Sequence, residues 1–239
     1  MSSSRRAVIL VGGKGTRLRP YTVVLPKPLM PIGDYPILEV ILRQLKRNGF
    51  EHVTMAVNHQ ADIIRSFFQE GKRWGVRLDY SLESEPLGTI APLRLIDDLP
   101  DNFLLMNGDV LTDLNFEDFM EEHTEAQELF TVAASHRTSL IDYGVLEADK
   151  NNFLRAFREK PQTSHLVSMG VYAVNRRAVE YVPQEGPYGF DELMGALLAA
   201  GEPVRVKRHN GYWLDIGRPD DYMQAIDDFP GRQHQLMGP

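Results

Sequence analysis

Hydrophobic positions in the first half of the chain follow two alternating patterns. Runs of strand length that are rich in apolar residues occupy residues 6–11, 52–57, 76–82 and 102–107. Between these runs, residues 36–49 and 61–71 repeat apolar side chains at helical spacing, and a shorter helix is expected from Pro92. Strands that alternate with helices predict an α/β fold with a doubly wound, mostly parallel sheet.

The second half of the chain is richer in strands. After a helical pattern at residues 116–123, strand-like runs cover residues 129–135, 143–148, 153–159, 166–175 and 203–208. Further helices are expected over residues 190–201 and from Pro219 onwards. These elements extend the sheet that the first half begins.

The order of these elements favours one domain over residues 6–229. Residues 6–115 are expected to form a nucleotide-binding half, and residues 116–229 complete the same sheet. Residues 1–5 are expected to be disordered, and residues 230–239 to form a frayed tail.

Composition and charge narrow the class of protein. The chain has 239 residues, of which 43% are hydrophobic and 25% charged, as in ordinary soluble globular proteins. Its net charge of −7 argues against a general nucleic-acid binder, and the absence of cysteine excludes disulfides and thiolate metal sites. Only five apolar residues follow Arg5 and Arg6 before the first glycine, fewer than the roughly 7–15 of a signal peptide core, and no stretch approaches the about 20 of a membrane span. We expect a cytoplasmic protein without a membrane partner, and the sequence leaves self-association into a homo-oligomer open.

The loop after the first strand carries unusual chemistry. The segment "VGGKGTRLRP" combines three glycines with three cations. It is not a dinucleotide fingerprint, because Leu18 stands where the third glycine belongs. It is not a P-loop, because Lys14 precedes Gly15 instead of following it. Glycine-rich backbone can approach phosphate oxygens closely, and the Arg17 guanidinium suits a phosphate.

A further cation, Lys27, follows ten residues after Arg17. In "PKPL", Lys27 stands between two prolines, which stiffen the segment that carries the ammonium. Each feature alone is equally consistent with a solvated surface loop. Together, after the first strand, they favour a triphosphate site.

Two aspartates end apolar strands. Asp109 closes "NGD" after residues 102–107, and Asp215 lies in "YWLDIG". Such carboxylates can hold Mg²⁺ together with substrate phosphates, although a strand-end aspartate also commonly forms a turn. Ligands of open parallel sheets bind beyond the carboxyl ends of the strands, so these residues are expected near the glycine-rich loop.

The motifs and their order resemble the sugar-1-phosphate nucleotidyltransferases, also called nucleotide-sugar pyrophosphorylases. The likeness begins with "AVILVGGKGTRLRPYTVVLPKPLMPIGDYPILE" and continues with "EPLGT", "NGD", "YGVLE", "EKP", "MGVYAVN" and "YWLDIGRPDDY". It covers about residues 6 to 228. It implies a Rossmann-like core of the nucleotide-diphospho-sugar transferase type. No hexapeptide repeats of the kind found in longer members follow the last helix.

The resemblance also implies roles for particular residues. The nucleotide-binding set that it implies is Val11, Gly12, Gly13, Gly15, Thr16, Arg17, Glu83, Pro86, Gly88, Thr89, Asn107 and Gly108. Lys27 would complete the charge clamp on the triphosphate, and Asp109 and Asp215 would hold Mg²⁺. The sugar phosphate would meet Gly144, Glu159, Lys160 and Gly170, with Lys160 at its phosphate. Arg17, Lys27, Asp109, Lys160 and Asp215 form the catalytic set.

The chain departs from the usual family pattern at two places. It has Ile90-Ala91 where many members have Ala-Gly, and Ser168-Met169 where many have Asn-Ala. Both departures lie near the expected positions of base and sugar.

The resemblance implies Mg²⁺-dependent transfer of a nucleotidyl group from an NTP to a sugar 1-phosphate, releasing pyrophosphate. Glu83 favours GTP, since a carboxylate only accepts hydrogen bonds and guanine offers two adjacent donors. Alternatives are the same reaction with UTP, dTTP or CTP, a non-catalytic regulatory relative, and a Rossmann-type oxidoreductase. Leu18 counts against the oxidoreductase.

Overall fold

A computed structural model describes residues 5–13, 15–58 and 60–238. The strands in these residues are β1 (Arg5–Leu10), β2 (Pro31–Ile32), β3 (Tyr35–Pro36), β4 (Phe50–Val57), β5 (Arg77–Leu82), β6 (Asn102–Asn107), β7 (Val110–Thr112), β8 (Phe130–Leu140), β9 (Val145–Ala148), β10 (Leu154–Arg158), β11 (Gln162–Asn175), β12 (Val204–Arg208) and β13 (Trp213–Asp215). The α-helices are α1 (Ile37–Arg47), α2 (Ala61–Phe68), α3 (Phe116–Glu125), α4 (Phe190–Ala200) and α5 (Pro219–Met237). Short 3₁₀ turns include Thr16–Leu18, Lys27–Leu29 and Ala91–Leu95, the last where a helix was expected from Pro92.

The central sheet has seven strands in the order β12-β8-β11-β6-β1-β4-β5. The strands run parallel to one another, except that β11 is antiparallel to both of its neighbours. The prediction of a mostly parallel α/β sheet is therefore confirmed. The chain reverses its winding between β1 and β6, which opens a crevice at their carboxyl ends.

The core lies on both faces of this sheet, which explains the unbroken apolar pattern of β1. Ala7 and Ile9 pack into the cluster that includes residues of α1, α2, α3 and α5. Val8, between them, packs into the second cluster, which includes residues of α4. All three side chains are fully buried.

Three small sheets flank the central one. β13 pairs antiparallel with β7, β9 pairs with β10 in an exposed hairpin, and β2 pairs with β3. The β7–β13 pair matters for the site because it joins segments from the two halves of the chain. No helix within the described ranges is long and apolar enough to cross a membrane.

The prediction of a frayed tail from Pro230 is wrong. Helix α5 continues through Pro230 to Met237. Leu236 is buried, and Arg47 donates a hydrogen bond to the carbonyl of Gln235. Proline disfavours a helix interior, but here the packing of the last turn against the core carries the helix past it.

The prediction of disorder over residues 1–5 is wrong at Arg5. Arg5 begins β1, and its guanidinium pairs with Glu117 and with Glu121 of α3, the latter at 2.6 Å. Residues 1–4 lie outside the described residues.

Candidate active site

The carboxyl ends of β1, β4, β5 and β6 surround a cavity of about 510 Å³. Each strand contributes the residues at or just beyond its end, as parallel strands require. The lining consists of Leu10, Val11, Gly12, Gly13, Arg17, Lys27, Pro28, Asn58, Glu83, Pro86, Gly88, Thr89, Asn107, Gly108 and Asp109.

Most of the sequence-predicted nucleotide residues are therefore brought together. Gly15 and Thr16 lie beside the lining, at the start of the 3₁₀ turn that carries Arg17. Lys14 lies outside the described residues. Leu10, Pro28 and Asn58 line the cavity but were not predicted. The position of Asn58, directly after the second predicted strand, is the signal that could have identified it.

Close packing of the backbone explains why residue 108 is a glycine. The Gly108 amide donates to the Leu10 carbonyl at 2.9 Å, which joins the ends of β6 and β1. A β-carbon at Gly108 would lie 2.5 Å from Cγ1 of Val11 and 3.0 Å from the Leu10 carbonyl oxygen. Only glycine permits this approach, which brings the next residue, Asp109, to the end of β1.

Lys27 and Asp109 form an ion pair in the cavity wall. Their side chains are only 11% and 23% exposed. Lys27 donates to Oδ2 of Asp109, whereas Oδ1 of Asp109 is buried and has no hydrogen-bond partner within the described residues. A buried carboxylate oxygen without a partner is costly, so it marks a position where a further positive group would be stabilising.

Asp215 lies next to this pair because β13 pairs with β7. The register places Asp215 opposite Val110, and the Ile216 amide donates to the Asp109 carbonyl at 3.0 Å. Burial raises the pKa of Asp215, and the negative charge of Asp109 raises it further, while Lys27 opposes the shift. The two predicted metal ligands are thus neighbours, although neither strand alone indicates this.

Arg17 approaches the same carboxylate. A β-carbon at Gly217 would lie 3.4 Å from Oδ2 of Asp215 and 3.6 Å from Nη2 of Arg17, so both side chains converge at this glycine. The guanidinium counteracts the rise in the Asp215 pKa, which is mainly caused by burial. Two cations and two carboxylates therefore meet at one side of the cavity.

Glu83 is a buried carboxylate that also lines the cavity. It is only 7% exposed, and burial raises its pKa. Its Oε2 accepts the Leu87 amide at 3.1 Å, and the Leu87 amide and the nearby Asn58 side chain oppose the rise in its pKa. A β-carbon at Gly12 would lie 3.0 Å from Oε1 of Glu83, so glycine leaves this oxygen room.

All four predicted sugar-phosphate residues lie outside the cavity lining. Gly144, Glu159 and Lys160 belong to the exposed hairpin formed by β9 and β10. Gly144 and Glu159 adjoin one another, since a β-carbon at Gly144 would lie 3.2 Å from Oε2 of Glu159. Lys160 adopts a φ of +43° and pairs with Asp142 at 2.7 Å, and both side chains are exposed.

Gly170 occupies a different place from the other sugar-phosphate residues. It lies in an irregularity of β11, with a φ of +72°. A β-carbon there would lie 2.6 Å from Nδ2 of Asn107, which lines the cavity. Gly170 therefore supports the cavity from the second half of the chain.

The carboxylates of Asp109 and Asp215 suit a hard divalent cation that takes most of its other ligands from substrate and water. No group of three or more histidine, cysteine or acidic side chains suited to a metal occurs in the part of the chain that the structure describes. Asp109 and Asp215 supply two neighbouring carboxylates, one with a buried free oxygen. Mg²⁺ commonly binds through one or two carboxylates with substrate phosphates and water, so these residues fit it.

Comparison with known proteins identifies the family. The sequence matches the family described as "Nucleotidyl transferase" over residues 6–230. The chain belongs to this family. It is 32% identical to a UTP–glucose-1-phosphate uridylyltransferase of Synechocystis, over 92% of this chain and 62% of the relative. It is 32% identical to a mannose-1-phosphate guanylyltransferase catalytic subunit beta of Drosophila pseudoobscura, over 100% of this chain and 66% of the relative.

The nucleotidyltransferase fold is also found in solved structures. HddC from Yersinia pseudotuberculosis superimposes with a TM-score of 0.74 at 24% sequence identity, and the match covers 94% of this chain and 99% of that one. The predicted fold type is thereby confirmed. The chain spans less than two thirds of the length of the curated relatives described above.

Proposed function

We propose that the chain transfers a nucleotidyl group from an NTP to a sugar 1-phosphate and releases pyrophosphate. The observation that supports this most strongly is the meeting of Lys27, Asp109, Asp215 and Arg17 at one side of a cavity walled by glycine-rich backbone. Such a site offers cations and backbone amides for a polyphosphate and carboxylates for its metal. The family membership supports the same class of reaction.

In this reaction, an oxygen of the sugar phosphate attacks the α-phosphorus of the NTP. The bond from the α-phosphorus to the bridging oxygen breaks, and pyrophosphate leaves with the electron pair. Phosphoryl chemistry of this kind depends mainly on positioning and charge stabilisation, so no protein nucleophile is required.

The main obstacle to this reaction is electrostatic repulsion between the NTP and the sugar 1-phosphate, since both substrates are polyanions. We assign Arg17 and Lys27 to the triphosphate, and Lys160 to the phosphate of the sugar. Gly144 and Glu159, next to one another on the hairpin, would contact the sugar. Lys160 would exchange its exposed pairing with Asp142 for the substrate, and an exposed ion pair is weak enough to allow this.

Asp109 and Asp215 would hold Mg²⁺. When bound, the ion supplies charge stabilisation to the phosphates in the transition state. The two carboxylates themselves would be stabilised by its presence, since burial and the charge of Asp109 both raise the pKa of Asp215 and so disfavour its ionised form. The Lys27 ammonium would remain beside Asp109 and orient its carboxylate.

We further propose that GTP is the preferred nucleotide, with Glu83 as the residue that reads the base. A carboxylate has about four acceptor positions, and the Leu87 amide uses one of them. The others can accept the N1–H and N2–H of guanine. Uracil and thymine present one N–H flanked by carbonyl oxygens, which a carboxylate repels. The names of the relatives include both guanylyl- and uridylyltransferases.

A screen of pyrophosphate release tests both parts of the proposal. The wild-type protein is assayed with GTP, UTP, dTTP, CTP and ATP against a panel of sugar 1-phosphates in Mg²⁺. Absence of turnover with every pair would contradict the activity and favour a non-catalytic binding protein. Equal or better use of UTP, dTTP or CTP would contradict only the guanine assignment.

A pair of variants tests the role of Glu83 itself. Glu83→Gln should reduce the preference for GTP over the other nucleotides by about 10- to 100-fold, the effect of losing one charge-assisted hydrogen bond. Its effect on turnover with the other nucleotides should be smaller. Glu85→Gln is the matched control, because Glu85 is an exposed acid two residues away. An unchanged GTP preference in Glu83→Gln would contradict the assignment.

A further inference from the structure

Helix α4 begins at a residue that has no capping side chain, and the carboxylate of Glu192 in its first turn accepts the amide of that residue at 2.6 Å. Its N-cap residue is Gly189, which has an extended conformation and no side chain. The amide of Phe190, the first helical residue, instead donates to the hydroxyl oxygen of Thr89 at 2.9 Å. Because the first amides of a helix have no partner within it, Thr89 satisfies a donor that would otherwise need one.

The main chain around Thr89 is attached to the same place. The Tyr188 amide donates to the Leu87 carbonyl at 2.8 Å, and the Tyr188 carbonyl accepts from Ile90 at 3.0 Å and Ala91 at 3.1 Å. Gly88 adopts a φ of +86°, and a β-carbon there would lie 2.7 Å from the Tyr188 carbonyl oxygen. The nucleotide-side wall of the cavity is thus hydrogen-bonded directly to the start of α4.

The contacts continue from α4 into β11, which carries Gly170 of the proposed sugar-phosphate set. The ring of Phe190 stacks on that of Tyr172, with 4.7 Å between centroids and 23° between planes. The Ser168 hydroxyl donates to the Tyr172 hydroxyl at 3.2 Å and accepts from the Gly170 amide at 3.3 Å. Gly170 in turn packs on Asn107 in the cavity lining.

We propose that Thr89 is a positioning residue that links the nucleotide-side wall of the cavity, through α4, to the segment of β11 that carries Gly170 beside Asn107. This inference rests on the proposed function. Thr89 lines the cavity, but its hydroxyl oxygen is engaged by the Phe190 amide, so it acts through Phe190. Loosening this link displaces the stack of Phe190 on Tyr172 and, through it, the irregular segment of β11 beside Asn107.

Two variants at one position test the link kinetically. Thr89→Val keeps the shape but removes the acceptor, whereas Thr89→Ser retains it. In Thr89→Val, the KM for sugar 1-phosphate at saturating NTP should rise about 3- to 10-fold, the size expected for one neutral hydrogen bond. The Kd of NTP, measured by calorimetry, should stay within about 2-fold of wild type. Thr89→Ser should behave as wild type in both measurements.

The opposite split would overturn the inference. Weakened NTP binding with an unchanged KM for the sugar phosphate would make Thr89 a direct nucleotide contact. Failure of Thr89→Ser to restore the wild-type KM would show that the acceptor is not the relevant property. If Thr89→Val does not fold, Phe190→Leu tests the next contact, because it keeps the amide but removes the aromatic stack. The same rise in KM is expected, and a wild-type KM would contradict the link.

Hydrogen exchange gives a readout that needs no turnover. Without substrates, the peptide spanning residues 186–193 should exchange faster in Thr89→Val than in wild type and at the wild-type rate in Thr89→Ser. Unchanged exchange in Thr89→Val would contradict the capping role. Because this measurement is independent of activity, it separates failure of the link from failure of the proposed reaction.

Discussion

The ammonium of Lys27 pairs with the carboxylate of Asp109 in the cavity wall, although 82 positions separate the two residues in the chain. The pair is largely buried, and the second oxygen of Asp109 has no partner within the described residues. The arrangement is polarised, with one oxygen held by the protein and the other left for a cation.

This arrangement predicts a large loss of turnover when either member is neutralised. Asp109→Asn and Lys27→Met should each lower pyrophosphate release by at least about 10²-fold, the scale of removing one preorganised electrostatic group. Steady-state assays in Mg²⁺ measure the loss, and circular dichroism verifies the fold. Asp97→Asn, at an exposed acid, is the control. Near-normal turnover of Asp109→Asn would show that Asp109 is not a metal ligand.

The carboxylate of Asp215 should lower the stability of the fold while supporting turnover. A raised pKa means that the folded state disfavours the ionised carboxylate, so ionisation of Asp215 at neutral pH destabilises the fold. Asp215→Asn should therefore raise Tm at pH 7.5 in the absence of Mg²⁺ while lowering turnover by about 10²-fold or more.

The pH dependence of this gain follows from the sign of the shift. The ordinary aspartate pKa is 3.8, and the folded value lies above it. As the pH falls through the folded pKa, Asp215 becomes neutral in the folded state and the advantage of asparagine disappears. Thermal melts of both proteins from pH 7.5 to pH 4 measure this, and a gain that grows towards acid would contradict it.

Lys160 should act on the sugar phosphate and not on the nucleotide, because it lies on the β9–β10 hairpin, outside the cavity lining. Lys160→Ala should weaken sugar 1-phosphate binding by about 10- to 100-fold, the range for a hydrogen bond to a charged group, and spare NTP binding. Calorimetry with each ligand measures the difference. Lys150→Ala, at an exposed lysine of the same hairpin, is the control. Equal losses for both ligands would contradict the division.

The end of α5 should contribute to global stability. Leu236 is 1% exposed, so Leu236→Ala should lower the free energy of unfolding by about 2–5 kcal/mol. Leu198→Ala is the control, since that leucine is 70% exposed and should cost no more than about 0.5 kcal/mol. Urea denaturation measures both. A loss for Leu236→Ala as small as that of the control would mean that the last turn does not pack on the core in solution.

Local pattern was sufficient to predict much of the fold. The strand-like runs gave β1, β4, β5 and β6 at the expected places, because strands buried on both faces, such as the middle of β1 and of β6, are largely apolar. Their alternation with helices gave the parallel sheet. The parallel sheet in turn predicted that the glycine-rich loop, Glu83 and Asp109 meet at one edge, since parallel strands end on the same side. Pro230 misled the prediction because proline is a local signal, whereas the continuation of α5 depends on packing over Leu236.

Tertiary structure alone decided which groups touch. Nothing in the spacing of Asp109 and Asp215 indicates that β7 and β13 pair, or that Lys27 uses one carboxylate oxygen while the other has no partner among the described residues. The capping of α4 by Thr89 is equally invisible in sequence, since the two partners lie 101 positions apart. The sequence by itself determines which segments are strands and at which edge their ends gather, because periodicity and burial are properties of neighbouring residues. Pairing across the chain, and with it the pKa of Asp215, depends on distances that only the packed fold defines.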